Sequence, residues 1–211
     1  MKKELRNARE DYRQQTLNED EVHRDAIEQF QQWLREYRQV SEAEFNAMTL
    51  CTADRQGRPS ARVVLLKGID GDNFEFFTNY DSRKGLDIKE NPAVALCFYW
   101  PELERQVRIE GKATKMSDVE SSDYFNSRPY GSRIGALASP QSSPISRKQL
   151  VENMKELEAK YPEYVPRPEN WGGYHVIPEV FEFWQGRRNR LHDRIEYRRK
   201  DDGWQIIRLA P

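Results

Sequence analysis

The hydrophobic pattern predicts one amphipathic helix near the start of the chain and strands after it. Asn18, with Glu21 three residues later, is typical of a helix N-terminus. The apolar residues that follow at helical spacing are Val22, Ala26, Ile27, Phe30, Leu34 and Tyr37. Ser41 and Glu44 indicate a short second helix. From residue 47 the period becomes that of strands, predicted at 48–53, 61–69, 74–78, 93–100 and 106–116.

The remaining elements complete a fold of mostly antiparallel strands. Ser82, Ser117 and Ser146 are predicted N-caps of helices that end near residues 90, 127 and 160, and a small apolar turn is expected at 134–138. Three closing strands are predicted, the first running from 173–177 into 180–184, the others at 191–199 and 203–209. Short turns between consecutive strands favour antiparallel pairing. We therefore expect a mainly β fold with added helices (α+β), an antiparallel barrel formed by a single domain at 17–211, after a mobile arm at 1–16.

Composition narrows the class of protein. Among 211 residues, 11% are aromatic, which is too many for a disordered chain, and the formal net charge is only -1. A balanced charge argues against bulk binding to nucleic acid or to a membrane surface, and no apolar run is long enough for a membrane span. Cys51 and Cys97 lie in apolar runs and are expected to be reduced thiols. The sequence therefore predicts a soluble cytoplasmic protein.

The segment 183–194 is strongly basic in this otherwise balanced chain. If it forms a strand after Gly186, then Arg190, His192 and Arg194 share one face, while Leu191 and Asp193 share the other. Two guanidiniums and an imidazole in one row suit a bound anion beside a titratable group. The alternative is a solvated edge strand whose charges prevent aggregation.

Two further cationic patterns suggest a phosphate site. Ser82 is a natural N-cap, so Arg83 and Lys84 would occupy the first helical turn, where the helix dipole disfavours cations but the free N–H groups favour an anion. Arg62 and Lys67 bracket an apolar strand with opposite parity, so a bend, or one ligand reached from two sides, is needed for both to meet one site. The alternatives are a surface helix with unoptimised charges and strand ends that emerge into solvent.

Other polar residues give less specific indications of a ligand site. The segment 124–132 offers a tyrosine hydroxyl, a guanidinium and a serine hydroxyl, which could form a second anion pocket. Gln106 is an amide within an apolar strand and needs a partner if buried, whereas Gln141 and Ser142 have ordinary loop composition. The three histidines show no metal-ligand spacing, and no GxSxG motif is present, so neither a metal site nor a serine hydrolase is predicted.

Taken together, these motifs resemble the pyridoxine (pyridoxamine) 5′-phosphate oxidase family from about Arg9 to Pro211. The motifs that carry the resemblance are RVVLLK at 62–67, NYDSRKG at 79–85, LERQVRIEG at 103–111, YFNSRP at 124–129, SPQSS at 139–143 and FWQGRRNRLHDR at 183–194. The resemblance implies an FMN-binding split β-barrel that works as a homodimer with flavin at the subunit interface. It also implies oxidation of pyridoxine 5′-phosphate or pyridoxamine 5′-phosphate to pyridoxal 5′-phosphate by O2, with release of H2O2.

The resemblance also implies the site residues. FMN contacts fall on Arg62, Val63, Val64, Leu65, Leu66, Lys67, Phe77, Thr78, Arg83, Lys84, Gln106, Gln141, Ser142, Trp184 and Arg194. Substrate contacts fall on Arg9, Tyr12, Lys67, Tyr124, Arg128, Ser132, Arg190, Leu191 and His192. Arg190 and His192 are the expected catalytic residues, and the proton acceptor is left open between His192, water and the substrate. Phe77 stands where a tyrosine would also be accepted, so a hydroxyl contact is lost there.

Three other functions remain open on the sequence alone. Another split-barrel flavoenzyme, such as a flavin reductase, would bind flavin without forming pyridoxal 5′-phosphate. A storage or carrier protein for FMN or pyridoxal 5′-phosphate would bind its ligand without turnover. A nucleic-acid binder would be colourless and would show salt-sensitive affinity, which the interleaved basic and aromatic residues near the C-terminus would explain.

Overall fold

The computed structural model describes Tyr12 and residues 15–211. Arg9 and most of the predicted arm at 1–16 lie outside these residues. The chain divides into two compact units. Unit 1 contains the described residues up to Thr49 together with Ala95–Glu110 and Pro178–Pro211, and unit 2 contains Leu50–Val94 and Gly111–Ile177.

The described residues form five α-helices and nine strands, which confirms the predicted mainly β class with added helices. The helices are α1 (Ala26–Val40), α2 (Arg83–Glu90), α3 (Asp118–Ser127), α4 (Tyr130–Ala138) and α5 (Arg147–Lys160). The strands are β1 (Ala47–Ala53), β2 (Pro59–Leu65), β3 (Gly68–Asp70), β4 (Asn73–Asn79), β5 (Ala93–Trp100), β6 (Arg105–Lys115), β7 (Trp171–Gln185), β8 (Asp193–Lys200) and β9 (Gly203–Arg208). No helix in the described residues combines the length and apolarity needed to cross a membrane.

The strands join one sheet in the order β2-β1-β5-β6-β7-β4-β3, with β8 paired to β7 and β9 paired to β8. Antiparallel pairing joins β3 to β4, β4 to β7, β7 to β8 and β8 to β9. The strand predicted to run from 173–177 into 180–184 is confirmed as the continuous strand β7. Its residues up to Ile177 belong to unit 2 and those from Pro178 onward to unit 1.

The core of unit 1 is aromatic. Helix α1 places Phe30 and Trp33 against the strands, with ring centroids 4.9 Å from Phe98 and 5.2 Å from Phe183, respectively. All four rings are at most 3% exposed. Burial of each large side chain stabilises the fold by about 1.5–3 kcal/mol, so this cluster fixes the helix on the sheet.

The start of helix α1 and the segment that follows the helix differ from the sequence prediction. The helix begins at Ala26 because the Asp25 carboxylate accepts hydrogen bonds from the N–H groups of Ile27 and Glu28 at 2.8 and 3.0 Å. Asn18, the predicted cap, instead donates its side-chain amide to Glu21. The predicted second helix at Ser41 is also wrong, because Ser41 is the C-cap of α1 and its N–H donates to the Tyr37 carbonyl.

In unit 1 the segment around Leu17 forms hydrogen bonds with the C-terminal strands β8 and β9. The Asp193 carboxylate accepts hydrogen bonds from the Leu17 N–H and from Arg208, at 3.1 and 2.9 Å. The Arg208 guanidinium also donates to the Leu17 carbonyl and to Glu19. These contacts tie the segment around Leu17 to strand β9.

In unit 2 the predicted N-caps Ser82, Ser117 and Ser146 are confirmed at the starts of α2, α3 and α5, and Ser117 forms the complete capping box with Glu120. The predicted apolar turn at 134–138 is longer than expected and forms helix α4. The predicted strand at 61–69 is interrupted after Leu65 and resumes at Gly68, as β2 and β3.

Candidate active site

Unit 2 contains a cavity of about 850 Å³. Fourteen of the predicted ligand contacts line it: Arg62, Val63, Val64, Leu65, Lys67, Phe77, Thr78, Arg83, Lys84, Tyr124, Arg128, Ser132, Gln141 and Ser142. Leu66 does not; its side chain is buried in unit 2. The volume lies within the range of small-molecule and cofactor sites, and the lining is rich in cations and hydroxyls. The motifs at 62–67, 79–85, 124–129 and 139–143 thus meet at one place.

The break between β2 and β3 explains how Arg62 and Lys67 reach the same cavity. Leu66 and Lys67 lie outside both strands, so the alternation of a straight strand does not extend to Lys67. The Lys67 N–H donates to the Glu75 carbonyl at 2.8 Å, which holds the break against β4. A bend in the backbone is therefore sufficient to bring Arg62 and Lys67 to one cavity, and a ligand reached from two sides is not required.

Neutral hydrogen-bond acceptors fix the guanidinium of Arg62 at the wall of the cavity. Its guanidinium donates to the Thr52 and Ser60 hydroxyls at 2.8 and 2.7 Å and lies 3.9 Å from an Asp87 carboxylate oxygen. Burial lowers the pKa of Arg62, and Asp87 partly opposes this change. The side chain is thus fixed in orientation but only distantly paired with a carboxylate.

Lys84 is buried at the start of α2. Its ammonium group donates to the hydroxyls of Thr78 and Ser82 at 2.9 and 3.0 Å. Burial, followed by repulsion from Arg62, lowers the pKa of Lys84 to about 8. In the described residues no carboxylate forms an ion pair with this group, so the positive charge is available to an anion in the cavity.

The loop that carries Gln141 and Ser142 closes on the same helix start. The Arg83 N–H donates to the Ser142 hydroxyl at 3.2 Å, and the side-chain Oε1 of Gln141 accepts a hydrogen bond from the Asn79 N–H at 3.4 Å. Ser142 has a φ of 71°, a left-handed conformation that is uncommon outside glycine. Strain of this kind clusters at ligand sites, so the loop geometry favours a binding role over ordinary loop composition.

The opposite wall of the cavity is aromatic and carries Arg128. Phe77 stacks on Tyr124 with centroids 3.8 Å apart, and the Arg128 guanidinium carbon lies 4.6 Å from the Trp171 ring centroid. The Nη1 atom of Arg128 is buried and has no hydrogen-bond partner, and burial lowers the pKa of the group. A buried guanidinium nitrogen without an acceptor is costly, so a ligand anion is the expected partner.

The predicted row of Arg190, His192 and Arg194 on one strand face is wrong. Strand β8 begins only at Asp193, and residues 188–190 form a turn in which Asn189 and Arg190 have φ values of 57° and 64°. Of the three, only Arg194 lies in the strand. The alternation fails because the backbone reverses through left-handed conformations before β8 starts.

The charge of Arg194 is neutralised by a carboxylate of unit 1. Its guanidinium forms two hydrogen bonds of 3.0 Å with the buried Glu182 carboxylate and donates to the Ala210 carbonyl at 2.8 Å. The bond with Glu182 raises the pKa of Arg194. Glu182 also accepts from Arg108 at 3.0 Å, so one carboxylate serves two guanidiniums. Gln106, the predicted buried amide, is half-buried on β6.

His192 belongs to an aromatic cluster in unit 1. Its ring lies 4.6 Å from that of Trp184 and 5.7 Å from that of Tyr12, measured between centroids. The Arg187 N–H donates to His192 Nδ1 at 3.1 Å. Burial, followed by repulsion from Arg190, lowers the pKa of His192, and Asp193 partly opposes this change. Arg190 and Leu191 are exposed beside the cluster.

Sequence reasoning missed several residues that shape these sites. Trp171 and Asn79 line the cavity, and Ser60 orients Arg62. Trp171 and Ser60 lie outside the charged motifs, and Asn79 begins the motif at 79–85 but was not among the predicted contacts. Glu182 was missed because a single acidic residue in an apolar strand gives no sign of the two arginines that it pairs with. Alternation along 180–185 could have placed Glu182 and Trp184 on one face.

Comparison with known proteins gives two family matches that together cover most of the chain. Residues 18–156 match the family described as pyridoxamine 5′-phosphate oxidase. Residues 171–211 match a region described as the pyridoxine 5′-phosphate oxidase C-terminal dimerisation region.

Individual relatives agree over almost the whole length. The chain is 53% identical over 209 residues to a pyridoxine/pyridoxamine 5′-phosphate oxidase of Haemophilus influenzae, covering 99% of this chain and 100% of that protein. It is 54% identical over 204 residues to the protein of the same name from Thermosynechococcus vestitus, covering 96% and 97%.

Solved structures bear out the split-barrel fold. PhzG from Burkholderia lata, solved in complex with tetrahydrophenazine-1-carboxylic acid, has a TM-score of 0.87 at 30% identity, covering 93% of this chain and 98% of that chain. A pyridoxamine 5′-phosphate oxidase-related, FMN binding protein from Nostoc punctiforme has a TM-score of 0.70 at 20% identity, covering 86% and 95%. The predicted antiparallel split β-barrel is confirmed.

Proposed function

The chain belongs to the pyridoxamine 5′-phosphate oxidase family, and from this premise we propose how its residues carry out the reaction. The reaction is the oxidation of pyridoxine 5′-phosphate and pyridoxamine 5′-phosphate to pyridoxal 5′-phosphate. The cofactor is FMN, O2 is the electron acceptor and H2O2 is released. The observation that carries the assignment is a cavity of about 850 Å³ lined by two cations, the buried Lys84 and the half-buried Arg128, that have no carboxylate partner among the described residues.

The residues present fit a flavin with one phosphate group. Lys84, Arg83 and Arg62 converge at the start of α2, where N–H groups and the helix dipole favour an anion. Thr78, Gln141 and Ser142 add neutral donors around the same point, and β2 supplies the apolar side chains of Val63, Val64 and Leu65. When bound, FMN supplies the two-electron chemistry by accepting a hydride from the C4′ carbon of the substrate.

A second group of residues fits the substrate phosphate. Lys67, Tyr124, Arg128 and Ser132 line the same cavity as the flavin-binding group, and Arg128 presents the unpartnered guanidinium nitrogen. Charge-assisted hydrogen bonds contribute about 1.5–3 kcal/mol each, so a few of them bind a phosphorylated substrate tightly. Phe77 and Trp171 hold Tyr124 and Arg128 in place by stacking.

We assign the remaining predicted contacts to unit 1. Trp184, Arg194 and Gln106 contact the flavin, while Arg190, Leu191 and His192 hold the substrate ring and its reacting group. Tyr12, which packs on Trp184 and His192, covers the site together with Arg9, which lies outside the described residues. Orientation of the reacting carbon against the flavin is the main contribution of these side chains, since the cofactor carries the redox step.

The protein works as a homodimer, which the match of residues 171–211 to a dimerisation region supports. We place FMN at the subunit interface, and we propose that 17–211 act as one domain; most of the predicted arm at 1–16 lies outside the described residues. We also propose a cytoplasmic location, because Cys51 and Cys97 form no disulfide and reduced thiols are typical of that compartment. Cell fractionation with an antibody against the chain tests the location.

One assay separates the proposal from its alternatives. The purified protein is expected to be yellow and, on addition of pyridoxine 5′-phosphate in air, to form pyridoxal 5′-phosphate and peroxide in equal amounts. Bound flavin without pyridoxal 5′-phosphate would indicate another flavoenzyme or a carrier. A colourless protein that stays inactive after FMN is supplied would overturn the proposal.

A further inference from the structure

We propose that His192 serves the reaction as a neutral hydrogen-bond donor through Nε2, and that it is not the group that accepts the substrate proton. The inference deepens the proposed function and rests on it. The observation behind it is the hydrogen bond from the Arg187 N–H to His192 Nδ1, at 3.1 Å.

This bond fixes the tautomer of the ring. A neutral imidazole has one nitrogen that donates and one that accepts. Because a backbone N–H can only donate, Nδ1 must carry the lone pair and Nε2 must carry the hydrogen. A proton acceptor needs a free lone pair, and the only one on this ring already accepts the Arg187 N–H. His192 therefore presents a donor to its surroundings.

The groups around the ring oppose its conversion to the charged form. A proton on Nδ1 would face the Arg187 N–H, so two donors would meet at the same point. The Tyr12 and Trp184 rings bury the imidazole, and Arg190 repels a positive charge there. Asp193 is the neighbouring carboxylate that would favour protonation, and its effect is the smallest of the three.

The Asp193 carboxylate is also occupied by other partners. Its oxygens accept hydrogen bonds from the Leu17 N–H and Arg208, and Arg187 Nε lies 3.4 Å away. These donors compete with the imidazole for the carboxylate oxygens, so Asp193 only weakly favours a proton on Nδ1. The local structure thus favours the neutral Nε2–H form of His192.

The consequence for the reaction concerns the destination of one proton. In the alcohol substrate, the C4′–H bond breaks with its electron pair leaving as hydride, and the hydroxyl proton is released as the C=O bond forms. With His192 committed as a donor, this proton passes to water. Nε2–H instead donates to an oxygen of the substrate and so fixes the position of the ring.

Nitrogen NMR of the histidine side chains tests the tautomer directly and does not depend on turnover. The chain has three histidines, so the His192 signals of the FMN-loaded protein can be assigned by their loss in His192→Gln. We expect the pattern of the neutral Nε2–H tautomer at pH 7 and 8, with the proton coupled to Nε2. A charged ring, or a hydrogen on Nδ1, would overturn the inference.

Two variants separate a donor from a base. In His192→Gln the side-chain amide can donate from near the Nε2 position but cannot accept a proton at neutral pH, whereas in His192→Asn the amide reaches only the Nδ1 position. We expect kcat/KM to fall by less than about tenfold for Gln and by about 10- to 100-fold for Asn, the value of one hydrogen bond to a charged group. A general base would cost about 10²–10⁴-fold in both variants.

The pH profile gives a second criterion. If His192 is the base, kcat of the parent protein should fall at low pH as the ring is protonated, and both variants should lack this fall. If His192 is a donor, the pH profile at low pH should be the same in the parent protein and in His192→Gln. Absence of any pyridoxal 5′-phosphate formation by the parent protein would contradict the proposed function. Turnover by a parent protein whose His192 carries hydrogen on Nδ1 would contradict this inference alone.

Discussion

Unit 1 and unit 2 both concentrate arginine and lysine, but they neutralise these cations differently. In unit 1 Arg194 forms two hydrogen bonds of 3.0 Å with Glu182, and Arg208 donates to Glu19 and Asp193. Among the described residues of unit 2, only hydroxyls hold the ammonium of Lys84, and a buried nitrogen of Arg128 has no partner.

This difference separates cations that stabilise the fold from cations that are kept for a ligand. A buried guanidinium paired with a carboxylate contributes to the structure, and loss of either partner leaves an uncompensated charge. A buried cation without an anion opposes folding until a ligand phosphate arrives. Removal of the Glu182 carboxylate is therefore expected to affect stability, and removal of the charge of Lys84 or Arg128 is expected to affect binding.

The largest effect is expected from Glu182→Gln. The change leaves Arg194 and Arg108 without their shared carboxylate, so the free energy of unfolding of the flavin-free protein should fall by about 1.5–3 kcal/mol, since both guanidiniums are partly solvated. Urea denaturation measures this value. Glu152→Gln is the control, because Glu152 and its partner Lys148 are both exposed and loss of this pair should cost about 0–1 kcal/mol. Equal losses in the two variants would remove the distinction between buried and exposed pairs.

Arg190→Met tests whether an exposed cation of unit 1 belongs to the site. We expect kcat to fall about 100-fold, because the substrate loses a positioning contact, while FMN stays bound. Stopped-flow flavin reduction and the visible spectrum measure the two properties. Arg188→Met is the control, since Arg188 lies in the same turn and is also exposed. Loss of flavin from Arg190→Met would mean that Arg190 belongs to the cofactor site.

Arg83→Ala addresses the start of α2. The dissociation constant of FMN should rise about 10- to 100-fold, which corresponds to about 1.5–3 kcal/mol for one charge-assisted contact. Quenching of flavin fluorescence on titration into the flavin-free protein measures it. Lys89→Ala removes a cation from the last turn of the same helix and should leave the constant within twofold. An unchanged FMN affinity in Arg83→Ala would rule out the phosphate site at the helix start.

The smallest predicted effect is a pH dependence from Lys84. The pKa of Lys84 is about 8, so the group is charged below this pH and loses its charge as the pH rises through it. FMN affinity should therefore fall above about pH 8, by at most about tenfold per pH unit, and Lys84→Met should abolish this slope. The flavin-free protein should show the opposite trend and gain stability with rising pH, because burial disfavours the charged form. A parent protein without either trend would contradict the role of Lys84.

Elements governed by local chemistry could be predicted from the sequence. The hydroxyls of Ser82, Ser117 and Ser146 cap helices through N–H groups three residues ahead, so a short segment contains all the information. The start of α1 shows the limit of such reasoning. Asn18 and Asp25 are both competent caps, and the choice of Asp25 follows from where the aromatic face of the helix meets the sheet.

The site was predictable where its motifs lie on regular elements and unpredictable where the backbone departs from them. The gathering of Arg62, Arg83 and Arg128 around one cavity follows from three separate motifs. The placement of Arg190 and His192 failed because positive φ angles at Asn189 and Arg190 end the alternation that the prediction assumed. Neither residue is a glycine, so the sequence carries no sign of that reversal.

The contact between Leu17 and Arg208 makes the two ends of the described chain depend on one another. The Arg208 guanidinium donates to the Leu17 carbonyl at 2.8 Å, and Asp193 accepts from both residues. Local opening at one end therefore releases the other, and the backbone amides of both segments should exchange their hydrogens with solvent at a common rate. Loss of the final four residues would accordingly expose the segment near Leu17 to proteases.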